Sequence, residues 1–261
     1  MIGVSLSLHW FQAYITETRG LIPAGDTETL EEFDMKVTHT YKVRDRAEDI
    51  ARWLGLAGHD FEIASLCGLY HDLGRFEQAV RFGTMDDKIT GSHADLSEEA
   101  FLMKAPRDGL SQNDVDIIAA ALKCHNLFRI PGNLDEKSLL YARLTRDADK
   151  LDIFRYFLDV YCNREGRFFR FIRSIPEGAL DPELIEAVLN RENFNASRVK
   201  SNKDRTLLEM SLVYDLNFGI SFQKTLEMNF VESLAETLHD ERLNTVAECA
   251  NRFMRERLGR R

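Results

Sequence analysis

The spacing of apolar residues along the chain predicts a series of helices. A first helix is predicted at about 5–18, and a second begins at Asp26 or Thr27 and ends at Gly55. Inward positions of the second helix recur at steps of three and four residues, and His39 is one of them. A single inward histidine is more often a core residue than a metal ligand, so this one is only a candidate.

The third predicted helix is the most apolar. Asp60 is its predicted N-cap, and the helix ends at His71-Asp72, just before Gly74. Glycine at that position suits the left-handed turn that stops many helices. An ionised carboxylate is costly to bury without a cation or strong hydrogen-bond donors. The dipeptide therefore marks a candidate site, although a His–Asp hydrogen bond that only closes the helix also fits the pattern.

Helical spacing continues through the rest of the chain. The remaining predicted helices cover about 92–105, 111–125, 135–163, a segment opened by Asp181-Pro182, 203–217, and two helices within 219–257. Ser92 caps the helix that begins with His93, and the helix that starts near Ser111 ends with His125 on its apolar face. These patterns predict an all-α fold with histidines at helix ends.

Length and composition allow either one substantial core or a core domain with an appended helical bundle. No stretch approaches the roughly 20 apolar residues of a membrane span, and the four cysteines form no CxxC pair. We therefore expect a cytoplasmic protein with reduced thiols and no membrane partner. The net charge of −9 argues against stable binding to a nucleic-acid backbone.

The order His39, His71-Asp72 and then a later aspartate resembles the HD-domain superfamily of metal-dependent phosphohydrolases. The resemblance covers about residues 27–160. His93 and His125 lie between the dipeptide and the last carboxylate, where superfamily members with two metals carry extra histidines. The resemblance therefore favours the binuclear branch and implies an HD-domain helical bundle with additional C-terminal helices. It implies one helical domain over residues 1–261, with a core at about 27–160 and a C-terminal helical extension at about 161–261.

The last carboxylate of this pattern is not fixed by helical spacing. Asp147 and Asp149 each align with apolar residues on the same predicted helix. The string from Ala148 to Leu151 is similar to the Ala-Asp-Lys/Arg-Leu string of the family. The resemblance therefore selects Asp149.

The resemblance also implies a ligand set and a reaction. The first ion would be held by His39, His71, Asp72 and Asp149, and a second by Asp72, His93 and His125. Imidazole and carboxylate ligands suit iron, manganese, nickel, cobalt or zinc, so one or two such divalent ions are expected. With two ions the site carries a net charge of +2, which attracts a small phosphorylated substrate such as a nucleotide. The implied reaction is phosphomonoester or phosphodiester hydrolysis by a metal-activated hydroxide.

Four further residues are candidates for supporting roles. Arg75 can bind a phosphate oxygen of the substrate or can form an ion pair with a nearby carboxylate. Glu77 is a weaker candidate for donating a proton to the leaving group. Lys200 and Lys203 can reach the substrate, although such charges more often mark a solvated helix start.

Two other functions remain open from the sequence. One is a di-iron oxygenase resembling myo-inositol oxygenase, because that enzyme has the same superfamily scaffold. The other is a non-catalytic module that binds metal or nucleotide. No Gly-Tyr-Pro motif accompanies the dipeptide, which disfavours a cyclic di-nucleotide phosphodiesterase of the GYP type.

Overall fold

A computed structural model describes residues 4–163, 174–238 and 240–259. The α-helices are α1 (Val4–Gly20), α2 (Thr27–Trp53), α3 (Gly58–Tyr70), α4 (Leu73–Phe82), α5 (Asp87–Thr90), α6 (His93–Lys104), α7 (Gln112–Cys124), α8 (Glu136–Asn163), α9 (Pro182–Leu189), α10 (Asn202–Ser211), α11 (Gly219–Glu227), α12 (Phe230–Glu236) and α13 (Glu241–Arg257). Two 3₁₀ turns cover Ala196–Arg198 and Leu212–Asp215. The described residues contain no β-strand, and the predicted all-α fold is confirmed.

Side-chain caps set the start of several helices. The Asp26 carboxylate accepts a hydrogen bond from the Thr29 backbone N–H at 3.1 Å, which fixes the start of α2. Ser92 caps α6 by accepting from the Asp95 backbone N–H. Ser111 begins α7 with a reciprocal capping box. Capping residues can be recognised in the sequence, so the observed starts of these helices agree with the predicted starts.

The second part of helix α3 is buried on all sides, because every residue from Ile63 to Tyr70 is buried. A segment surrounded in this way is expected to be apolar, and the polar side chain of Ser65 donates a hydrogen bond to Glu48 at 2.8 Å. The helix begins at Gly58 after an Ala57 cap that makes no side-chain hydrogen bond, so the prediction of Asp60 as N-cap is wrong. Asp60 instead forms an ion pair with Lys137 at 2.8 Å.

Gly74 is a second correction, because it does not stop helix α3. It is a buried residue within α4, and its backbone φ is not positive. A Cβ at this position would lie 2.1 Å from the His93 carbonyl oxygen and 2.7 Å from the Ser97 nitrogen. Glycine is therefore required for the close packing of α4 against α6, which carries a predicted ligand at its first residue.

The chain divides into two compact units, Met1–Asp149 and Lys150–Arg261. The second unit has its own core, in which Phe154 stacks on Phe230 with ring centroids 4.2 Å apart. The prediction of two helices within 219–257 is wrong, because Asn229 takes a left-handed conformation and separates α11 from α12 ahead of α13. The prediction that both units act as one domain remains a prediction.

None of the helices among the described residues combines the length and the apolar character needed to cross a lipid bilayer. Cys67, Cys124 and Cys249 are free thiols, and burial raises the pKa of Cys67 to about 12. The side chain of Cys162 lies outside the described residues.

Candidate metal centre

Helices of the first unit bring six predicted ligands together, four of them at helix ends. His71 follows the last residue of α3 and Asp72 precedes the first residue of α4, so the dipeptide forms the corner between two helices. The other four lie at the inward face of α2, the start of α6, the end of α7 and within α8: His39, His93, His125 and Asp149. Residues far apart in sequence thus meet at one place in the fold.

Asp72 lies at the centre of this cluster, with 2% of its side chain exposed. Its Oδ2 atom is 3.6 Å from His39 Nε2 and 3.5 Å from His71 Nε2. Its Oδ1 atom is 3.5 Å from His93 Nε2 and 3.6 Å from His125 Nε2. The two histidine pairs therefore face different oxygens of one carboxylate, and each pair forms with Asp72 a group of ligand atoms close enough to hold an ion.

In His71 and His125 the ring nitrogen Nδ1 faces away from Asp72. The hydrogen bond that Nδ1 makes fixes the orientation of the ring. His71 Nδ1 lies 2.8 Å from the Gly68 carbonyl oxygen, and His125 Nδ1 lies 2.6 Å from the Leu122 carbonyl oxygen. A carbonyl oxygen only accepts, so each Nδ1 carries the proton and donates it. With Nδ1 as the donor, His71 and His125 each direct the other ring nitrogen, Nε2, towards Asp72.

His93 is oriented in the same way by Asp87. Its Nδ1 lies 2.7 Å from Asp87 Oδ2, and its Nε2 lies 3.0 Å from His125 Nε2. With Nδ1 of both rings serving as donors, a metal ion placed between the two Nε2 atoms would satisfy both of them. This arrangement fits a metal ion, because metal-bound histidines commonly donate their other ring proton to a carboxylate or a carbonyl.

Asp149 lies beside the pair formed by His39 and His71. Its Oδ1 atom is 3.1 Å from His39 Nε2 and 3.8 Å from His71 Nε2. Burial alone would raise the pKa of Asp149, but a hydrogen bond with His39 and the nearby imidazoles hold the pKa well below its usual value. Asp147 is buried on the same helix. The geometry favours the choice of Asp149 made from the resemblance.

The electrostatics of the buried site keep the ligand groups in their metal-binding protonation states. Burial lowers the pKa of His71, and it lowers the pKa of His93 to about 4 despite the hydrogen bond with Asp87. Burial would raise the pKa of Asp72, but the charge of Lys36 and the contact with His71 hold it well below the usual range. His71 and His93 are thus neutral and Asp72 is ionised at neutral pH.

Arg75 is engaged with neighbouring acceptors. Its Nη1 atom donates to the Met85 carbonyl oxygen at 2.6 Å, to Asp87 Oδ1 at 2.9 Å and to Gln78 Oε1 at 3.2 Å. Its Nε atom lies 4.0 Å from Asp72 Oδ1 and has no hydrogen-bond partner. Of the two predicted roles, the contacts correspond to the ion pair, and phosphate binding by Arg75 remains a prediction.

Glu77 accepts hydrogen bonds from Tyr14 at 2.6 Å and from Lys104, and it pairs with Arg81 at 2.9 Å. Burial alone would raise its pKa, but the hydrogen bonds from Lys104 and Tyr14 hold the pKa below its usual value. An ionised carboxylate held by two cations is a weak proton donor, so this environment does not favour the predicted role.

The two predicted substrate-binding lysines lie in the second unit. Lys203 Nζ is 2.8 Å from Asp240 Oδ2, and the exposed Lys200 has its nearest carboxylate, Asp181, at 4.0 Å. Both belong to the start of α10, where Ser201 and Asp204 form a capping box. Contact of either lysine with a substrate remains a prediction.

Two residues near the cluster were missed by the sequence analysis. Lys36 Nζ lies 2.7 Å from Asp72 Oδ2, and Asp87 connects His93 with Arg75. Lys36 precedes His39 by three residues and so shares its helix face, which is a usable signal. Asp87 lies in the charged segment 83–91, where the sequence carries no signal that would select it from its neighbours.

A comparison of the chain with models of protein families gives a match. Residues 37–153 match the family model described as "HD domain". The matched range contains all six predicted ligands. Neither a curated protein nor a solved structure matches the chain.

Proposed function

Because residues 37–153 match the family model of the HD domain, we propose that this protein is a metal-dependent phosphohydrolase that cleaves a phosphate ester of a nucleotide or another small molecule. The observation that carries the proposal is the division of Asp72 between two histidine pairs. One oxygen faces His39 and His71, and the other faces His93 and His125. A carboxylate shared in this way suits a bridge between two ions.

The proposed ligand sets follow from this division. The first ion would be held by His39, His71 and Asp149 with Asp72, and the second would be held by His93 and His125 with Asp72. Mixed nitrogen and oxygen ligands favour iron, manganese, nickel, cobalt or zinc over calcium, which prefers oxygen ligands alone. Buried imidazoles with low pKa values, such as His93, need not lose a proton when the metal binds at neutral pH.

Charge explains why a phosphate ester fits this site. Four neutral imidazoles and two carboxylates carry a formal charge of −2, and two divalent ions would bring the site to +2. The chain as a whole carries −9. A local positive site on an acidic protein attracts a small anion, while the remaining surface repels larger polyanions.

The chain's own residues prepare the site for hydrolysis. When bound, a pair of divalent ions activates water and neutralises charge on the phosphoryl oxygens. Asp72 lies between the two histidine pairs, and the carbonyl oxygens of Gly68 and Leu122 hold two of the rings with Nε2 directed inward. No nucleophilic side chain is needed, so we expect direct transfer of the phosphoryl group to water.

The test compares phosphate release by the wild type and two histidine variants. Protein loaded with Mn²⁺ or Ni²⁺ is assayed on a panel of nucleotides and small phosphate esters, with oxygen uptake recorded in parallel. We expect phosphate release without oxygen consumption, and we expect His93→Ala and His125→Ala each to lower turnover by roughly a hundredfold or more. His9→Ala is the matched control, because this histidine is exposed and lies on α1.

Three results would contradict the proposal. Full turnover in both histidine variants, with an unchanged helical circular dichroism spectrum, would exclude a two-metal hydrolase. Substrate-dependent oxygen uptake by the iron-loaded protein would favour the oxygenase. Ligand binding without hydrolysis of any ester would favour the binding module.

A further inference from the structure

The ammonium group of Lys36 is a cation of the chain inside the candidate metal centre. Its Nζ atom lies 2.7 Å from Asp72 Oδ2, the oxygen that also faces His39 and His71. The Lys36 side chain is 18% exposed, whereas that of Asp72 is 2% exposed. Lys36 therefore extends from the solvent-accessible edge of the cluster to its central carboxylate.

Lys36 and Arg75 differ in the number of acceptors to which their side chains donate hydrogen bonds. The Arg75 guanidinium donates to three acceptors outside the cluster, including Asp87. Within the described residues, Lys36 Nζ has Asp72 as its single hydrogen-bond and ion-pair partner. A lysine on a flexible four-carbon stem can exchange one acceptor for another at small cost, whereas a guanidinium with three acceptors would lose several hydrogen bonds.

A metal ion bound by Asp72 Oδ2 changes what Lys36 can contact. The ion and the ammonium group would be two positive charges on one oxygen, and they would repel each other. The ammonium would then need another anionic acceptor close to its present position. A phosphoryl group brought to the ion pair is such an acceptor, since it carries negatively charged oxygens.

We propose that Lys36 binds a phosphoryl oxygen of the substrate on the side of the centre formed by His39 and His71. This inference rests on the proposed function, because it requires both the metals and a phosphate ester. It gives Lys36 a phosphate contact for which the sequence made Arg75 a candidate. Lys36 leaves Asp72 when the metal binds and then contacts the substrate.

The experiment measures binding of inorganic phosphate, so it does not depend on turnover. Wild type, Lys36→Met and Lys36→Arg are loaded with Mn²⁺, their metal content is determined by mass spectrometry, and phosphate is titrated calorimetrically. Lys137→Met is the matched control, because Lys137 is an ion-paired lysine of the same unit with Asp60 as its partner. Lys36→Gln serves as a second neutral variant if Lys36→Met does not fold.

We expect Lys36→Met to bind phosphate roughly 10- to 100-fold more weakly than the wild type, which corresponds to loss of one charge-assisted hydrogen bond. Lys36→Arg and Lys137→Met should stay within a few-fold of the wild type. Lys36→Met should also bind Mn²⁺ at least as tightly as the wild type, because the ammonium no longer competes for Asp72. In turnover, KM should rise more than kcat falls.

Two outcomes overturn the role of Lys36 while leaving the hydrolase proposal intact. The first is a phosphate affinity of Lys36→Met within about twofold of the wild type, since the expected loss is tenfold or more. The second is reduced Mn²⁺ content in Lys36→Met, which would assign Lys36 to support of the metal ligands. A wild-type protein that takes up no metal would instead overturn the proposed function and this inference together.

Discussion

Replacement of Asp87 tests whether the chain orients His93 for a second metal ion. Asp87 Oδ2 is 2.7 Å from His93 Nδ1, and this contact directs His93 Nε2 towards Asp72 Oδ1. Asp87→Asn keeps a hydrogen-bond acceptor but removes the charge, and Asp87→Ala removes both. We expect the affinity for the second metal equivalent to be lower in Asp87→Asn than in the wild type, and lowest in Asp87→Ala.

The size of the effect follows from the contacts of Asp87. Loss of an outer partner of a metal-bound histidine typically lowers metal affinity by about 10- to 100-fold, or about 1.4 to 2.7 kcal/mol. The Asp87 side chain is 37% exposed, so water can replace part of its hydrogen bonding. Its loss also leaves Arg75, whose Nε atom is 4.0 Å from Asp72 Oδ1, without its carboxylate partner. We therefore expect about tenfold for Asp87→Asn and a loss nearer a hundredfold for Asp87→Ala.

The assay is a calorimetric titration of metal-free protein with Mn²⁺, with metal per chain determined separately. The first equivalent should bind as in the wild type, because its proposed ligands His39 and His71 face Oδ2 of Asp72, whereas Asp87 orients His93, which faces Oδ1. Asp86→Asn is the matched control: it removes a neighbouring charge, and asparagine can still cap α5 as Asp86 does.

Unchanged binding of both equivalents in Asp87→Ala would refute this reasoning, since His93 would then need no partner on Nδ1. Equal weakening of both equivalents would also refute it, because it would indicate a general loss of structure. Weakening of the second equivalent alone is the predicted result.

The remaining predictions concern stability. Gly74→Ala should destabilise the fold at the upper end of about 1–3 kcal/mol in urea denaturation, because the added Cβ meets backbone atoms of α6. Gly132→Ala, with nothing within 4 Å of the new Cβ, is the control, and equal stability of the two variants would contradict the packing described for α4. For chelator-treated protein, burial lowers the pKa of His93 to about 4 from an ordinary 6.5. The unfolded chain then binds more protons than the folded chain between those values, so the free energy of unfolding should fall as pH decreases through this window. His93→Gln should flatten the pH dependence measured by urea denaturation, and an unchanged slope would contradict the assignment.

The sequence predicts the positions of several candidate ligand histidines because helix ends carry local signals. Ser92 and Ser111 mark the starts of α6 and α7, and both caps form as expected. Apolar spacing then places His125 at the inward end of α7. Such signals depend only on residues that are close in the sequence, so they can be recognised without knowledge of the tertiary structure.

Other features depend on contacts between distant segments. Gly74 resembles a helix stop in sequence, but its actual requirement is the approach of α6, which no local pattern encodes. Asp87 becomes important only when the segment 83–91 lies against His93. Lys36 shares a helix face with His39, yet only the folded chain brings its ammonium group to Asp72. Helical periodicity left Asp147 and Asp149 equivalent, and the geometry distinguishes Asp149 by its contact with His39.

The most direct test of the two-metal centre is an anomalous-scattering map from a crystal of the Mn²⁺-loaded protein. We predict two peaks separated by about 3.5 to 4 Å, with Asp72 between them. One peak should be ligated by His39, His71 and Asp149, and the other by His93 and His125. A single peak at the first position, or no peak within reach of Asp72, would contradict the account.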